Sequence, residues 1–108
     1  PQMLEKALSH SLAIYLALDG DAVVGLVRLV GDGFSSVFVQ DLIVLPTYQR
    51  QGIGSNLMKE ALGDFKDAYQ VQLVTEQTEK TLGFYRSLGF ETLSTYDCTG
   101  MIWVDRKR

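Results

Sequence analysis

Apolar residues along this chain recur at two spacings, and the change from one to the other marks the elements. Met3, Leu4, Ala7 and Leu8 fall at helical spacing, which predicts a short helix over residues 3–10. Ser11 to Leu18 and Ala22 to Val30 are aliphatic runs of strand length. Asp19-Gly20-Asp21 between them is a hairpin turn, since glycine takes a positive φ at little cost. Gly31-Asp32-Gly33 closes the second strand, and Ser36 to Leu45 reads as a third, ended by Pro46, which has no N–H for a ladder. Ile53, Leu57, Met58, Ala61, Leu62 and Phe65 then form the apolar stripe of a long helix. Val71 to Thr75 is a short buried strand, and Thr78 to Leu88 a second helix of the later half, stopped by Gly89. Phe90 to Tyr96 and Met101 to Val104 are predicted as final strands joined around Thr99-Gly100. The order helix, three strands, helix, strand, helix, two strands predicts one mixed α/β domain over residues 1–108.

Composition agrees with that picture and removes several alternatives. With 108 residues, 46% of them hydrophobic, the chain buries a core without needing disulfides or a metal. Cys98 is the only cysteine, which fits a reducing, cytoplasmic compartment, and it reads as a small buried residue. No apolar run approaches the roughly 18 residues of a membrane span; Arg28 interrupts the longest one. A net charge of -3 argues against nucleic acid as a partner, and the basic Arg106-Lys107-Arg108 tail reads as a solvated terminus. The chain begins with Pro1, so further residues are expected upstream.

The stretch from Leu42 to Ser55 carries the chemistry. A buried strand ends at Pro46, a short loop turns, and Gly52-Ile53-Gly54 opens the long helix. A helix start leaves several N–H groups without partners at the positive end of its dipole. Glycines there keep side chains out of the way of a ligand, so the turn is suited to cradle phosphate. Charge supports this reading: Leu42 to Lys59 contains no Asp or Glu, and its charged residues are Arg50 and Lys59. A glycine turn chosen for close packing would look the same, and on the residues alone both readings stand. No Gly-Lys-Ser/Thr follows, which excludes a P-loop, and the third glycine and downstream acid of a dinucleotide site are absent.

Gln49-Arg50-Gln51-Gly52-Ile53-Gly54, after a strand ending Leu42 to Pro46, resembles the Gln/Arg-x-x-Gly-x-Gly/Ala signature of the GCN5-related N-acetyltransferases (GNAT family). Phe84-Tyr85-Arg86-Ser87-Leu88-Gly89-Phe90 resembles the family's Phe-Tyr-x-x-x-Gly-Phe segment, in the right order and at the right separation. The ending Gly100-Met101-Ile102-Trp103 is similar to small bacterial members and to plastid-type serotonin N-acetyltransferases. The resemblance implies the GNAT fold, a central mixed sheet flanked by helices, here lacking the strand and helix that usually open it. It also implies acetyl-CoA as acyl donor, lying between splayed parallel strands at Phe38 to Val44 and Val71 to Thr75.

Carried over residue by residue, the backbone of Leu42, Ile43 and Val44 would pair with the pantetheine arm as an added strand does. Amides of Gln49, Arg50, Gln51, Gly52, Ile53, Gly54 and Ser55 would hold the pyrophosphate. Arg50 would add a phosphate contact or stand solvated. Thr78 takes the place of an Asn that touches the cofactor in many members, and is equally a helix N-cap. Tyr85 occupies the position of the general acid that protonates the departing thiolate; as a residue it also reads as a core tyrosine. The general base is left open. Phe38 and Gln40 stand where several members carry Glu or His, strand alternation points Asp41 to the other face, and Glu76 and a water chain remain. His10 ends the first helix, where a contact with the helix dipole is expected. The implied reaction is acetyl transfer to a primary amine, with an aromatic or alkyl small molecule as acceptor, and no metal, nucleic acid or membrane. A homodimer through the terminal strand Met101 to Val104 is expected. The alternatives are a catalytically idle acyl-CoA-binding module and an enzyme acting on protein or peptide amines.

Overall fold

The computed structural model describes residues 1–105; the basic tail Arg106-Lys107-Arg108 lies outside the described residues. These residues fall into two compact units, Pro1–Thr75 and a second beginning at Glu76.

In the first unit, helix α1 (Gln2–Ser9) precedes strands β1 (Ala13–Asp19), β2 (Ala22–Gly31) and β3 (Ser36–Val44), helix α2 (Ile53–Asp64) and strand β4 (Gln70–Leu73). The strands form one sheet in the order β1-β2-β3-β4, antiparallel at the first two seams and parallel between β3 and β4. Gly20 turns the first hairpin at φ 61° as its sequence requires. The next connection is held by Asp32. Its carboxylate accepts the Ser35 hydroxyl and the backbone N–H groups of Phe34, Ser35 and Ser36, which together hold it well below the usual carboxylate range.

The core lies between the sheet and α2. Val27, Leu29, Val37 and Val39 from the strands pack with Leu57, Met58 and Ala61 from the helix, and all seven are buried. The predicted stripe is therefore the face α2 buries. At Gly25 the helix comes closest, because a Cβ there would stand 3.0 Å from Ile53 Cγ2 and 3.2 Å from Leu57 Cδ1. An isolated glycine in an aliphatic strand is the sequence signal of such an approach. Tyr15 Oη ties β1 to the far end of α2, donating to Asp64 Oδ2 at 2.6 Å.

Two departures from alternation shape the other face. Asp41 pairs with Arg28 but Val39 with Leu29, so Gln40 is the extra residue of a β-bulge in β3. Because Arg28 and Val30 share a face of β2, their partners Asp41 and Phe38 share it too. The expectation that Asp41 points away from the face of Phe38 is therefore wrong: the bulge shifts the alternation by one. The second irregularity falls between Ala17 and Leu18 in β1.

The second unit contains helix α3 (Glu79–Ser87). Its N-cap is Thr78, whose Oγ1 accepts the Thr81 N–H at 3.2 Å. Gly89, at φ 101°, follows its end. The expected strands Phe90 to Tyr96 and Met101 to Val104 are not formed. Leu93–Tyr96 is a 3₁₀ turn, Asp97 is left-handed at φ 58°, and no regular element follows among the described residues. Local bonds take the backbone groups a ladder would use: Thr95 N–H to Thr92 O, Asp97 N–H to Ser94 O and Cys98 N–H to Leu93 O. Met101, Ile102 and Trp103 are exposed, so the strand edge on which a homodimer is expected above is missing. Cys98 is exposed, not buried, because it follows this turn outside any packed element.

Candidate functional site

The site expected from the sequence begins where the parallel strands part. β3 and β4 are paired from Ser36↔Gln70 to Val39↔Leu73, after which β4 ends and β3 runs on to Val44. From Gln40 onward β3 thus has β2 on one side and an open edge on the other. Which backbone groups face that edge follows from the antiparallel ladder. Leu45 donates its N–H to Val24 O directly opposite, and bonded and non-bonded pairs alternate from there. Ile43 and Asp41 accordingly spend their N–H and C=O on β2, while those of Leu42 and Val44 face the open edge. Of the three residues expected to present backbone to a ligand, Leu42 and Val44 turn theirs to that edge, where the Val44 carbonyl is taken by Gln49 Nε2. Ile43 instead presents its side chain, on the face away from α2.

The loop after β3 is braced by its own side chains. Pro46–Tyr48 is a 3₁₀ turn, Gln49 Nε2 donates to Val44 O at 3.0 Å, and Gln51 Nε2 donates to Thr47 O at 3.3 Å. Tyr48 Oη donates to Asp19 Oδ2, fastening the loop to the first hairpin; this bond, the Asp19 charge beside it and a little burial push the phenol up from its ordinary value. Sequence reasoning missed Asp19 and Tyr48, which are far apart in the chain and belong to no motif. Two residues then turn left-handed, Arg50 at φ 65° and Gly52 at φ 81°. Gly52 is the N-cap of α2, and a Cβ on it would have nothing within 4 Å, so the space above the first turn is open. No side chain caps that end and no acid lies in its first turn. Its first N–H groups, from Ile53 through Ser55, have no partner within the helix.

Arg28 reaches across the other face. Its Nε donates to Asp41 Oδ2 at 2.7 Å and its NH1 to Ser11 Oγ at 3.2 Å and Ala7 O at 3.5 Å. Asp41, one of the bases left open, is thus half of an ion pair. Glu76 opens the second unit, before α3, and His10 is the C-cap of α1, with its N–H on Lys6 O.

In the second unit, Tyr85 lies in an aromatic cluster, edge-on to Phe84 at 5.0 Å and to Phe90 at 5.9 Å between ring centroids. The Phe-Tyr-x-x-x-Gly-Phe segment is therefore a packing unit as well as a signature. Thr78 Oγ1 is engaged as the N-cap and donates to Thr81 Oγ1 at 2.8 Å. Among the described residues no helix is long and apolar enough to cross a membrane.

Comparison with known proteins places these features in one group. The profile of the acetyltransferase (GNAT) domain matches residues 10–92. The chain is 29% identical over 93 residues to serotonin N-acetyltransferase 2, chloroplastic, of Oryza sativa subsp. japonica, covering 82% of this chain and 46% of that protein. It spans about half the length of the curated relatives it matches. A solved GNAT family acetyltransferase from Streptococcus pneumoniae TIGR4 is 84% identical and superposes with a TM-score of 0.93, over 98% of this chain and 80% of that one. The fold is also that of a GNAT family acetyltransferase from Elizabethkingia anophelis solved with acetyl-CoA bound, at 22% identity and a TM-score of 0.69, over 83% of this chain and 60% of that one. With the family profile covering most of its length and the splayed β3 edge leading into the Gly52 turn, this chain belongs to the GNAT acetyltransferase family.

Proposed function

We propose that this chain is an acetyl-CoA-dependent N-acetyltransferase domain that moves an acetyl group directly onto the primary amine of a small molecule. The observation that carries the reading is the continuity of two features on one strand. The open edge of β3 at Leu42 and Val44 runs into an uncapped, acid-free helix start at Gly52–Ser55. An extended amide-bearing chain ending in phosphates fits that succession: strand-like pairing at the edge, then anion binding at the helix. Bound acetyl-CoA supplies an acetyl thioester, and the protein supplies position and protons. Leu42 and Val44 offer backbone groups to the pantetheine amides. The N–H groups of Arg50 to Ser55 take the pyrophosphate and Arg50 adds its charge, whereas the Gln49 N–H is spent on Pro46 O and the Thr78 hydroxyl on Thr81.

As the amine nitrogen bonds to the carbonyl carbon and the carbon–sulfur bond breaks, the nitrogen gives up one proton to water and the thiolate sulfur takes one. Tyr85 holds the family's position for that donor, and a phenol has a suitable proton at neutral pH. Replacing Tyr85 by Phe keeps the ring cluster with Phe84 and Phe90 and removes only the hydroxyl. Turnover is expected to fall about a hundredfold or more, with acetyl-CoA affinity by calorimetry unchanged. Equal turnover in the variant would remove Tyr85 from the mechanism.

A second reading, an acyl-CoA-binding module without turnover, is favoured by one feature: Phe38 and Gln40 offer no proton acceptor. It predicts acetyl-CoA binding with no acetylated product across an amine panel. An enzyme of protein amines would acetylate peptides and leave free amines untouched.

A further inference from the structure

Strand β1 ties down both ends of the α2 segment through the same kind of bond. Its register runs Ala17↔Gly25 and then Leu18↔Val23, so the extra residue of that irregularity is Val24 in β2, and β1 keeps its alternation. Tyr15 pairs with Val27, which is buried against α2, so Tyr15, Ala17 and Asp19 share that face. Tyr15 Oη donates to Asp64 Oδ2 at 2.6 Å, at the C-terminal end of the helix. Tyr48 Oη donates to Asp19 Oδ2, ahead of the N-terminal end. Ala17, between the two, pairs with Gly25, on which Ile53 rests.

The bond to Asp19 supplies what the loop lacks on its own. Gln49 Nε2 on Val44 O, Gln51 Nε2 on Thr47 O, Tyr48 N–H on Leu45 O and Gln49 N–H on Pro46 O all close within residues 44–51. They fix the shape of the loop but not its position over the sheet. Among the described residues, the Tyr48–Asp19 bond is the hydrogen bond that joins residues 46–51 to a strand other than β3. The left-handed residues Arg50 and Gly52 follow directly. Amides that are aimed before an anion arrives bind it better, because a loop ordered on binding subtracts from affinity.

We propose that Asp19 and Tyr48 are a positioning pair, which holds the loop so that the N–H groups of Arg50 to Ser55 converge on the phosphates of the acyl donor. The inference rests on the acetyltransferase reading above and deepens it. A carboxylate has the wrong charge to meet a phosphate, so the contribution of Asp19 is its bond to Tyr48. The pair acts on the phosphate end of the donor and leaves the pairing of its extended arm with β3 unchanged.

The test is titration of the full chain with acetyl-CoA by calorimetry and with S-acetylpantetheine, which has the same arm and no phosphate, by NMR of the β3 amides. Asp19 is exposed and Tyr48 half-buried, so the variants remove no core side chain. Tyr48→Phe and Asp19→Ala should each weaken acetyl-CoA about fivefold and leave S-acetylpantetheine unmoved. The double variant should be no weaker than either single one, since the same bond is lost in all three. Asp19→Asn still accepts the phenol O–H and should restore binding close to that of the parent. A general loss of structure would weaken both ligands together and would not be rescued by Asn. Tyr48→Phe binding acetyl-CoA as the parent does, equal losses for the two ligands, additive losses in the double variant, or Asp19→Asn as weak as Asp19→Ala would each overturn the inference. A parent that does not bind acetyl-CoA sinks the acetyltransferase reading and this inference together, whereas a binding parent with indifferent variants sinks this inference alone.

Discussion

Arg50 holds a left-handed backbone at φ 65°, a conformation that costs a residue with a Cβ about 1 kcal/mol or more. No hydrogen bond to its side chain offsets that cost among the described contacts, and strain of this kind concentrates at functional turns. Arg50→Gly is therefore expected to melt higher than Arg50→Ala, by an amount near that strain. Both should bind acetyl-CoA more weakly than the parent and with less dependence on salt, since the charge is gone from each. If Arg50→Gly binds as tightly as the parent, Arg50 serves only the backbone. Tyr15 gives the pH dependence of the same unit. Burial first, then its bond to Asp64 and the charges of Asp64 and Glu60, push its phenol up to about 12. The native state thus favours the protonated form. Its contribution to stability is complete below the ordinary value near 10 and is lost as pH rises toward 12. Ultraviolet titration should show one tyrosine ionising at that late point, and Tyr15→Phe should remove it and flatten the stability profile above pH 10 or so.

At the scale of elements, the position of α2 decides the site, because the residue that opens it, Ile53, rests on Gly25. A methyl at Gly25 would press on Ile53, Leu57 and Ala17 at 3.0–3.3 Å. Gly25→Ala should cost roughly 1–3 kcal/mol by overpacking and weaken acetyl-CoA binding as the first turn of α2 is pushed out. Gly63→Ala, in the same helix with nothing near its added Cβ, should leave binding alone and stabilise by about 0.5–1 kcal/mol. Equal acetyl-CoA affinity in both variants would show that the cradle tolerates movement of its helix. The elements around this contact were legible in the sequence. The aliphatic runs of β1 to β3, the stripe of α2, the Thr78 cap and the Gly89 stop each act through nearest neighbours. What was not legible depends on partners distant in the chain. A bulge at Gln40 shows only when β3 is laid against β2, and alternation read along β3 alone then places Asp41 on the wrong face. The apolar run Met101 to Val104 has the composition of a strand, but a strand exists only where another one pairs with it, and after Leu93 the backbone closes on itself. The uncapped glycine turn could be read because its glycines and missing acids are local; its fastening by Tyr48 to Asp19 could not.

For the whole molecule, the two compact units divide the proposed chemistry unequally. Pro1–Thr75 holds the open β3 edge and the Gly52 turn, while Thr78 and Tyr85 belong to the unit that begins at Glu76. The net charge of -3 opposes a polyanionic ligand at long range, so binding depends on the acid-free window around Arg50. A ligand that binds only the native state stabilises it by about 2.7 kcal/mol at a concentration a hundred times its Kd. For a unit of this size that is a rise in melting temperature of roughly 10 °C or more. Calorimetric melting with acetyl-CoA should therefore raise the transition by that amount, and the Tyr85→Phe protein should keep most of the shift. If the transition does not move at saturating acetyl-CoA, the proposed acyl donor is wrong for this chain, whatever its family.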